Sequence, residues 1–305
     1  MSKPILIVMC GLQGSGKSTI ANTDLKDKYN ATVYSSDKLR KEYPTFDNNK
    51  IFETLYSQID SDLSNGKNCI LDATNITMKS RRAIFNNLKS DFYSICYIMN
   101  TPYQFCLNNL VHRNKDSESH FVPIDALTRY YHSFEVPFYE EGWNEIIINH
   151  TPDNNHSQFF IEFMNNKAEG FNQKTKYHND DLLSHMFITH ALLEQISDDD
   201  TLLRASLMHD YGKLYTQTFK EGDENAHYYN HANVSAYEVL SHWSYYDEKG
   251  YDIKNTLDCI FYINYHMLPF NVQSEKSNTK WERIFGTTKW YNLKKLNEAD
   301  KYRKE

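Results

Sequence analysis

The run PILIVMC at residues 4–10 passes directly into GLQGSGKST at residues 11–19, and no other junction constrains the fold as much. A continuous apolar run predicts a strand buried on both faces. The glycines then fit G-x-x-x-x-G-K-[ST] in the strand-to-helix setting that a phosphate-binding loop requires. Gly11, Gly14 and Gly16 let the backbone bend, so that the N–H groups of the loop through Ser15 and Thr19 face phosphates. Lys17 supplies a point charge to the outer phosphates, the Ser18 hydroxyl can ligate Mg²⁺, and the helix N-terminus adds positive potential. The expected ligand is ATP.

The rest of the first half keeps the same alternation. Strands are expected at 31–37, 68–74, 92–99 and 144–150, with helices at 17–29, 49–66, 79–90, 102–114 and 122–134 between them. Strands alternating with helices predict a parallel sheet covered on both faces. HTPDNNHSQ at 150–158 reads as a polar turn, FFIEFM as the close of the first domain, and NNKAEGFNQKTK at 165–176 as a linker. Beyond it every periodic segment is helical. The expected organisation is an α/β phosphate-loop domain at 1–168 and an all-α domain at 169–305.

A 305-residue chain fits two such domains. Its net charge of -7 gives no global basic field for nucleic acid, so any such substrate needs local cations. Five scattered cysteines without a CxxC pair read as reduced core residues of a cytoplasmic protein. No signal peptide and no membrane span is expected.

SSDKLR places Asp37 at the carboxyl edge of the sheet, where ligands of doubly wound folds bind. A carboxylate there can accept a proton from an attacking hydroxyl, and Arg40 can hold a phosphate on the acceptor. An N-cap aspartate with a solvated arginine is the equally weighted structural reading.

The helical half carries chemistry of another kind. His185 lies in one expected helix, His209 and Asp210 end the next, and His231, His266 and Asp300 follow from distant segments. Imidazole and carboxylate suit Mn²⁺, Ni²⁺, Co²⁺, Fe²⁺ or Zn²⁺. Ligands drawn from several helices of a bundle converge on its core. His178 reads as a supporting residue, His190 and His242 as packing or surface residues, and His227 as either.

GLQGSGKST, SSDKLR, ILDATN, SRRAIF and HRNKDSESHFVPIDALTRYYHSF together resemble the kinase domain of bacteriophage polynucleotide 5′-hydroxyl kinases. That resemblance implies Asp37 as general base, Arg40 on the acceptor phosphate, Asp72 supporting the phosphate loop, and Arg113 as a lid arginine at the ATP phosphates. The family's second lid arginine falls on Ser117, with Lys115 and Arg129 as nearby substitutes. The second half, through YHNDDLLSH, LMHDYGK, NHANVSA and YHM, resembles the HD phosphohydrolase superfamily. This implies His185, His209, Asp210 and Asp300 as metal ligands and Lys213 on the substrate phosphate. His231 and His266 would complete a second metal site bridged by Asp210, or bind that phosphate; the second metal is favoured.

The combined expectation is an enzyme that heals nucleic-acid ends, RNA rather than DNA. It would phosphorylate a 5′-OH and remove a 3′-phosphate or 2′,3′-cyclic phosphate, leaving ends for a ligase. The location would be the cytoplasm, that of the host if phage-encoded. Two alternatives stand beside it: a small-molecule kinase fused to an HD nucleotidase, and a non-catalytic RNA-binding module.

Overall fold

The structure, a computed structural model, describes residues 3–116, 121–149, 160–175 and 180–301, apart from the Tyr246 side chain. Ser117 and His178 lie outside the described residues, as does the turn expected at 150–158. The chain separates into two compact units, Met1–Tyr130 with Glu141–Thr151 and Tyr131–Glu140 with Pro152–Glu305.

The first unit is built on five parallel strands: β1 Ile5–Cys10, β2 Ala31–Ser35, β3 Asn68–Asp72, β4 Tyr93–Ile98 and β5 Glu145–Ile148. They lie in the order β2-β3-β1-β4-β5. Ile7 pairs with Ile70 on one side and Ile95 on the other, which puts β1 at the centre. Leu6 to Cys10 are buried, as the apolar run requires. The chain leaves β1 toward β2 on one side and later crosses to β4 on the other. The switch point, and so the crevice for ligands, is at the carboxyl end of β1. The helix after the loop runs Lys17–Ile20, widens into a π turn at Ala21–Leu25 and resumes as Lys26–Tyr29.

A buried ion pair fastens the unit. The Arg81 Nη2 and Nε donate to Glu141 at 2.5 and 2.7 Å, and both side chains are fully enclosed. Arg81 also donates to the Asn75 carbonyl at 3.2 Å, and Trp143 Nε1 to Glu141 at 2.9 Å. Neither charge has water to turn to, so the pair ties the helix Met78–Asn87 to the segment before β5.

The second unit is mainly helical, but the expectation of no strand in this half is corrected. Gln217–Phe219 (β6) and Ala226–Tyr228 (β7) form an antiparallel hairpin. Strands of three residues are too short to show alternation. FFIEFM does not close the first domain either. It forms the helix Phe160–Ala168, whose Phe160, Met164 and Ala168 are buried in the second unit. Phe134, Val136 and Phe138 join it as well: Phe138 packs edge-on against Phe261 and Phe285, and Phe134 against Tyr237. The expected linker is structured, since Asn172 bridges to Asp181 and Gln173 is buried.

The five cysteines are all buried and none forms a disulfide. Among the described residues no helix is long and apolar enough to cross a membrane.

Glu141→Gln leaves the Arg81 guanidinium buried without its counter-charge, and removal of one partner of such a pair costs about 3–5 kcal/mol. The urea midpoint for unfolding of the first unit is expected to fall accordingly. A midpoint unchanged within error would contradict this role.

Candidate functional site

A cleft of about 710 Å³ is lined by residues from the ends of three strands, including Lys17, Ser18, Asp37, Arg40, Asp72 and Arg113. The phosphate loop is one wall. Gly14, at φ 76°, has no alternative residue, because an added Cβ would fall 2.3 Å from the Cys106 carbonyl oxygen. Lys17 Nζ donates to the Leu12 carbonyl at 2.7 Å. Burial pushes the Lys17 ammonium below its ordinary pKa, while Asp72 acts in the opposite direction. Ser18 Oγ donates to Asp72 Oδ2 at 2.7 Å, so the end of β3 meets the hydroxyl expected to ligate Mg²⁺.

Asp37 lies in the first turn of the helix Ser36–Glu42, one turn from Arg40, which reaches its carboxylate at 3.1 Å. Arg40 also donates to Asn48 Oδ1 at 2.8 Å. Asp37 does not cap this helix; the N-cap position is Ser35. The Nε and Nη2 of Arg113 and the Oγ of Ser15 are buried without hydrogen-bond partners. Orphaned groups of this kind cost about 1–3 kcal/mol each. A polyphosphate in the cleft would satisfy them, so the donor set fits ATP.

In the second unit the expected ligands do come together. His185, His209, Asp210 and Asp300 offer ligand atoms within 4.8 Å of one another, and Asp210, His231 and His266 form a second such group. His185 Nε2 lies 3.0 Å from Asp300 Oδ1 and 3.3 Å from Asp210 Oδ2. His209 Nε2 lies 3.2 and 3.4 Å from the same two atoms. His231 and His266 approach the other oxygen of Asp210, Oδ1, at 3.1 and 3.6 Å. One carboxylate therefore serves both groups, with one oxygen toward each.

The histidines are held by a repeated device. The Nδ1–H of His209, His231 and His266 donates to the carbonyl three residues earlier, Ser206, Tyr228 and Ile263, at 2.7, 2.8 and 2.7 Å. Carbonyls only accept, so each ring keeps a proton on Nδ1 and turns its Nε2 inward. This is how ligating histidines are usually oriented. The donor set fits divalent transition metals.

His209 and Asp210 do not end a helix, contrary to expectation. The helix stops at Ser206, and residues 207–212 are successive tight turns before the helix Lys213–Thr216. Gly212 explains the turn. Its N–H donates to Ser235 Oγ at 2.7 Å, and a Cβ would lie 2.1 Å from the His231 carbonyl oxygen. Only glycine lets the helix His231–Ser241 come this close.

Residues 6–137 match the AAA domain family (AAA_33), less than half of the chain. With its five parallel strands and phosphate loop, the first unit is a P-loop kinase-like α/β fold. No curated protein matches. Among solved structures, a chain of the Pnkp1/Rnl/Hen1 RNA repair complex is 20% identical with a TM-score of 0.39, and the match covers 43% of each chain. A fungal RNA kinase is 16% identical with a TM-score of 0.38, over 56% of this chain and 87% of that one. A gluconokinase from Sinorhizobium meliloti 1021 is 15% identical with a TM-score of 0.34, over 48% and 83%. This chain thus spans less than half the length of the repair-complex chain.

Some site residues were not foreseen. Gln173 Oε1 accepts from Lys213 Nζ at 2.8 Å, and the same ammonium is 2.6 Å from Asp210 Oδ2. Asn48, Phe52, Asn75 and Thr77 line the cleft of the first unit. Asn75, at φ 44°, is the one with a sequence signal, since asparagine tolerates the left-handed region where ILDATN ends.

Burial opposes a charged imidazole at His209, but the carboxylates of Asp210 and Asp300 outweigh it and push its pKa up to about 10. His185 is raised in the same way, burial again being overcome by the two carboxylates. Both carboxylates are held well below their ordinary range despite burial, Asp210 by Lys213 and His209 and Asp300 chiefly by His209. His209 therefore carries a second proton, on Nε2, below about pH 10, and a metal bound there would have to displace it. Metal binding near neutral pH is expected to release protons and to tighten as pH rises toward 10. Calorimetric enthalpies that do not change with the ionisation heat of the buffer would contradict this. Gly212→Ala is expected to displace His231 and lower the metal content per chain, read by elemental analysis. Unchanged content would show that the close approach does not position a ligand.

Proposed function

We propose that this chain heals nucleic-acid ends, RNA in preference to DNA. The first unit transfers the γ-phosphate of ATP to a 5′-OH. The second removes a 3′-phosphate or opens and removes a 2′,3′-cyclic phosphate. The products, a 5′-phosphate and a 3′-OH, are what a ligase joins. The observation that carries the reading is Asp210, whose two oxygens each face a separate histidine group. A binding module has no need of such an arrangement.

Phosphoryl transfer depends on placement and charge compensation. In the first unit Lys17 and Arg113 hold the ATP phosphates. Asp37 accepts the proton of the attacking hydroxyl, and Arg40 holds the phosphate next to it while orienting Asp37. Ser18 and Asp72 would hold Mg²⁺, which would neutralise charge on the phosphates. The 710 Å³ cleft joins the phosphate loop to the Asp37–Arg40 pair, so donor and acceptor can share it.

In the second unit His185, His209, Asp210 and Asp300 would hold one metal, and Asp210, His231 and His266 a second. Metals there would lower the pKa of water and neutralise the phosphoryl oxygens. Lys213, kept in place by Gln173, meets the substrate phosphate. The net charge of -7 also suits a small-molecule substrate, so the assay must compare oligonucleotides with nucleosides.

Lys17→Ala is expected to lower 5′-kinase activity by about 10²–10³ while phosphatase activity stays intact. His209→Ala is expected to do the reverse, by about 10² or more. The assay follows both ends of an RNA carrying a 5′-OH and a 2′,3′-cyclic phosphate. Silencing of both reactions by either folded variant would refute separate sites. ADP release driven by nucleosides as strongly as by 5′-OH oligonucleotides would refute the substrate class.

A further inference from the structure

A pocket of the helical unit has no part in the chemistry above. It has a volume of about 320 Å³ and is lined by Pro269, Val272, Trp290, Lys294, Asn297 and Lys301, with Asn278 and Glu298 beside them. That is near the lower end of the roughly 300–1,000 Å³ usual for small-molecule sites.

Three of its side chains, Lys294, Asn297 and Lys301, offer donors. Asn297 is 3% exposed, and its amide Nδ2 has no hydrogen-bond partner. Such a buried donor calls for an acceptor. Lys294 Nζ lies 5.9 Å from the Trp290 ring centre, and Lys301 Nζ lies 5.3 Å from that of Phe270. Neither lysine forms an ion pair among the described residues, although Glu298 lines the same pocket. Two ammonium groups that form no ion pair among the described residues and an unmet amide donor together outnumber the one carboxylate of the pocket, Glu298, and suit an anion rich in acceptors. Trp290, fixed by donating from Nε1 to Asn278 Oδ1 at 2.8 Å, and the apolar Pro269 and Val272 would accompany a less polar group.

The pocket's walls continue from the metal-ligating segments. Pro269 follows His266 by three residues, Asn297 precedes Asp300 by three, and Lys301 is next to Asp300. Between Asn297 and Asp300 the three residues of helix rise only about 4.5 Å.

We propose that this pocket holds a backbone phosphate, with its sugar, of the strand whose 3′ end is processed at the metal ligands. This rests on the phosphatase reading of the second unit and deepens it. It gives the unit a means to prefer an oligonucleotide over a mononucleotide.

The test is fluorescence anisotropy of a labelled single-stranded RNA with the full-length protein, wild type against Lys294→Gln/Lys301→Gln. Circular dichroism and thermal melting establish that the variant is folded. The variant is expected to bind roughly tenfold more weakly at low salt, with a log K against log salt slope smaller by about 0.7 per lost phosphate contact. Unchanged affinity and slope would overturn the proposal. Inorganic phosphate, titrated by calorimetry, distinguishes the other source: loss of its binding in the variant with RNA binding retained would make this a free-phosphate site and overturn the strand assignment. Absence of RNA binding by the wild type would overturn it too. Turnover of a mononucleoside 3′-phosphate with added metal tests the phosphatase reading separately.

Discussion

Asp210 is a carboxylate buried in a protein interior, and burying such a charge is tolerable only with close compensation. Lys213, His185 and His209 surround one of its oxygens, and His231 and His266 approach the other. These residues come from segments spread over 82 positions, 185 to 266. The helical unit is organised around supplying them. Three backbone carbonyls orient three rings, and Gly212 removes the one Cβ that would keep His231 away. A second buried carboxylate, Asp300, repeats the demand at His185 and His209.

The first unit solves a different problem, with excess positive rather than negative charge. Lys17 is buried at the loop, and two nitrogens of Arg113 lack partners. A sheet switch point, a helix N-terminus and these cations form a receptor for polyphosphate. Under the proposed function the same chemical group is the object in both units, held by cations for transfer in one and surrounded by candidate metal ligands for removal in the other.

Much of the first unit was legible because its signals are local. A continuous apolar run makes β1, and the glycine spacing makes the loop without long-range help. That His185, His209, Asp210, His231, His266 and Asp300 would gather was legible for a similar reason, since His–Asp patterns survive as residue types. Their exact setting was not. The turn that carries His209 and Asp210 depends on Gly212 meeting a helix twenty residues later, a contact that periodicity does not encode. Gln173 sat in a polar stretch that read as linker, and its burial is due to Lys213. Phe134, Val136 and Phe138 were visible as apolar residues, but nothing local says which unit they join. The hairpin β6–β7 has strands too short to announce themselves.

The central claim is that Asp210 serves two metal ions at once. Electron paramagnetic resonance of the Mn²⁺-loaded protein tests it most directly. A carboxylate shared between two ions predicts a spin-coupled spectrum at saturation, lost on Asp210→Asn in a folded chain. Isolated, uncoupled Mn²⁺ signals at saturation, or coupling that survives Asp210→Asn, would contradict it.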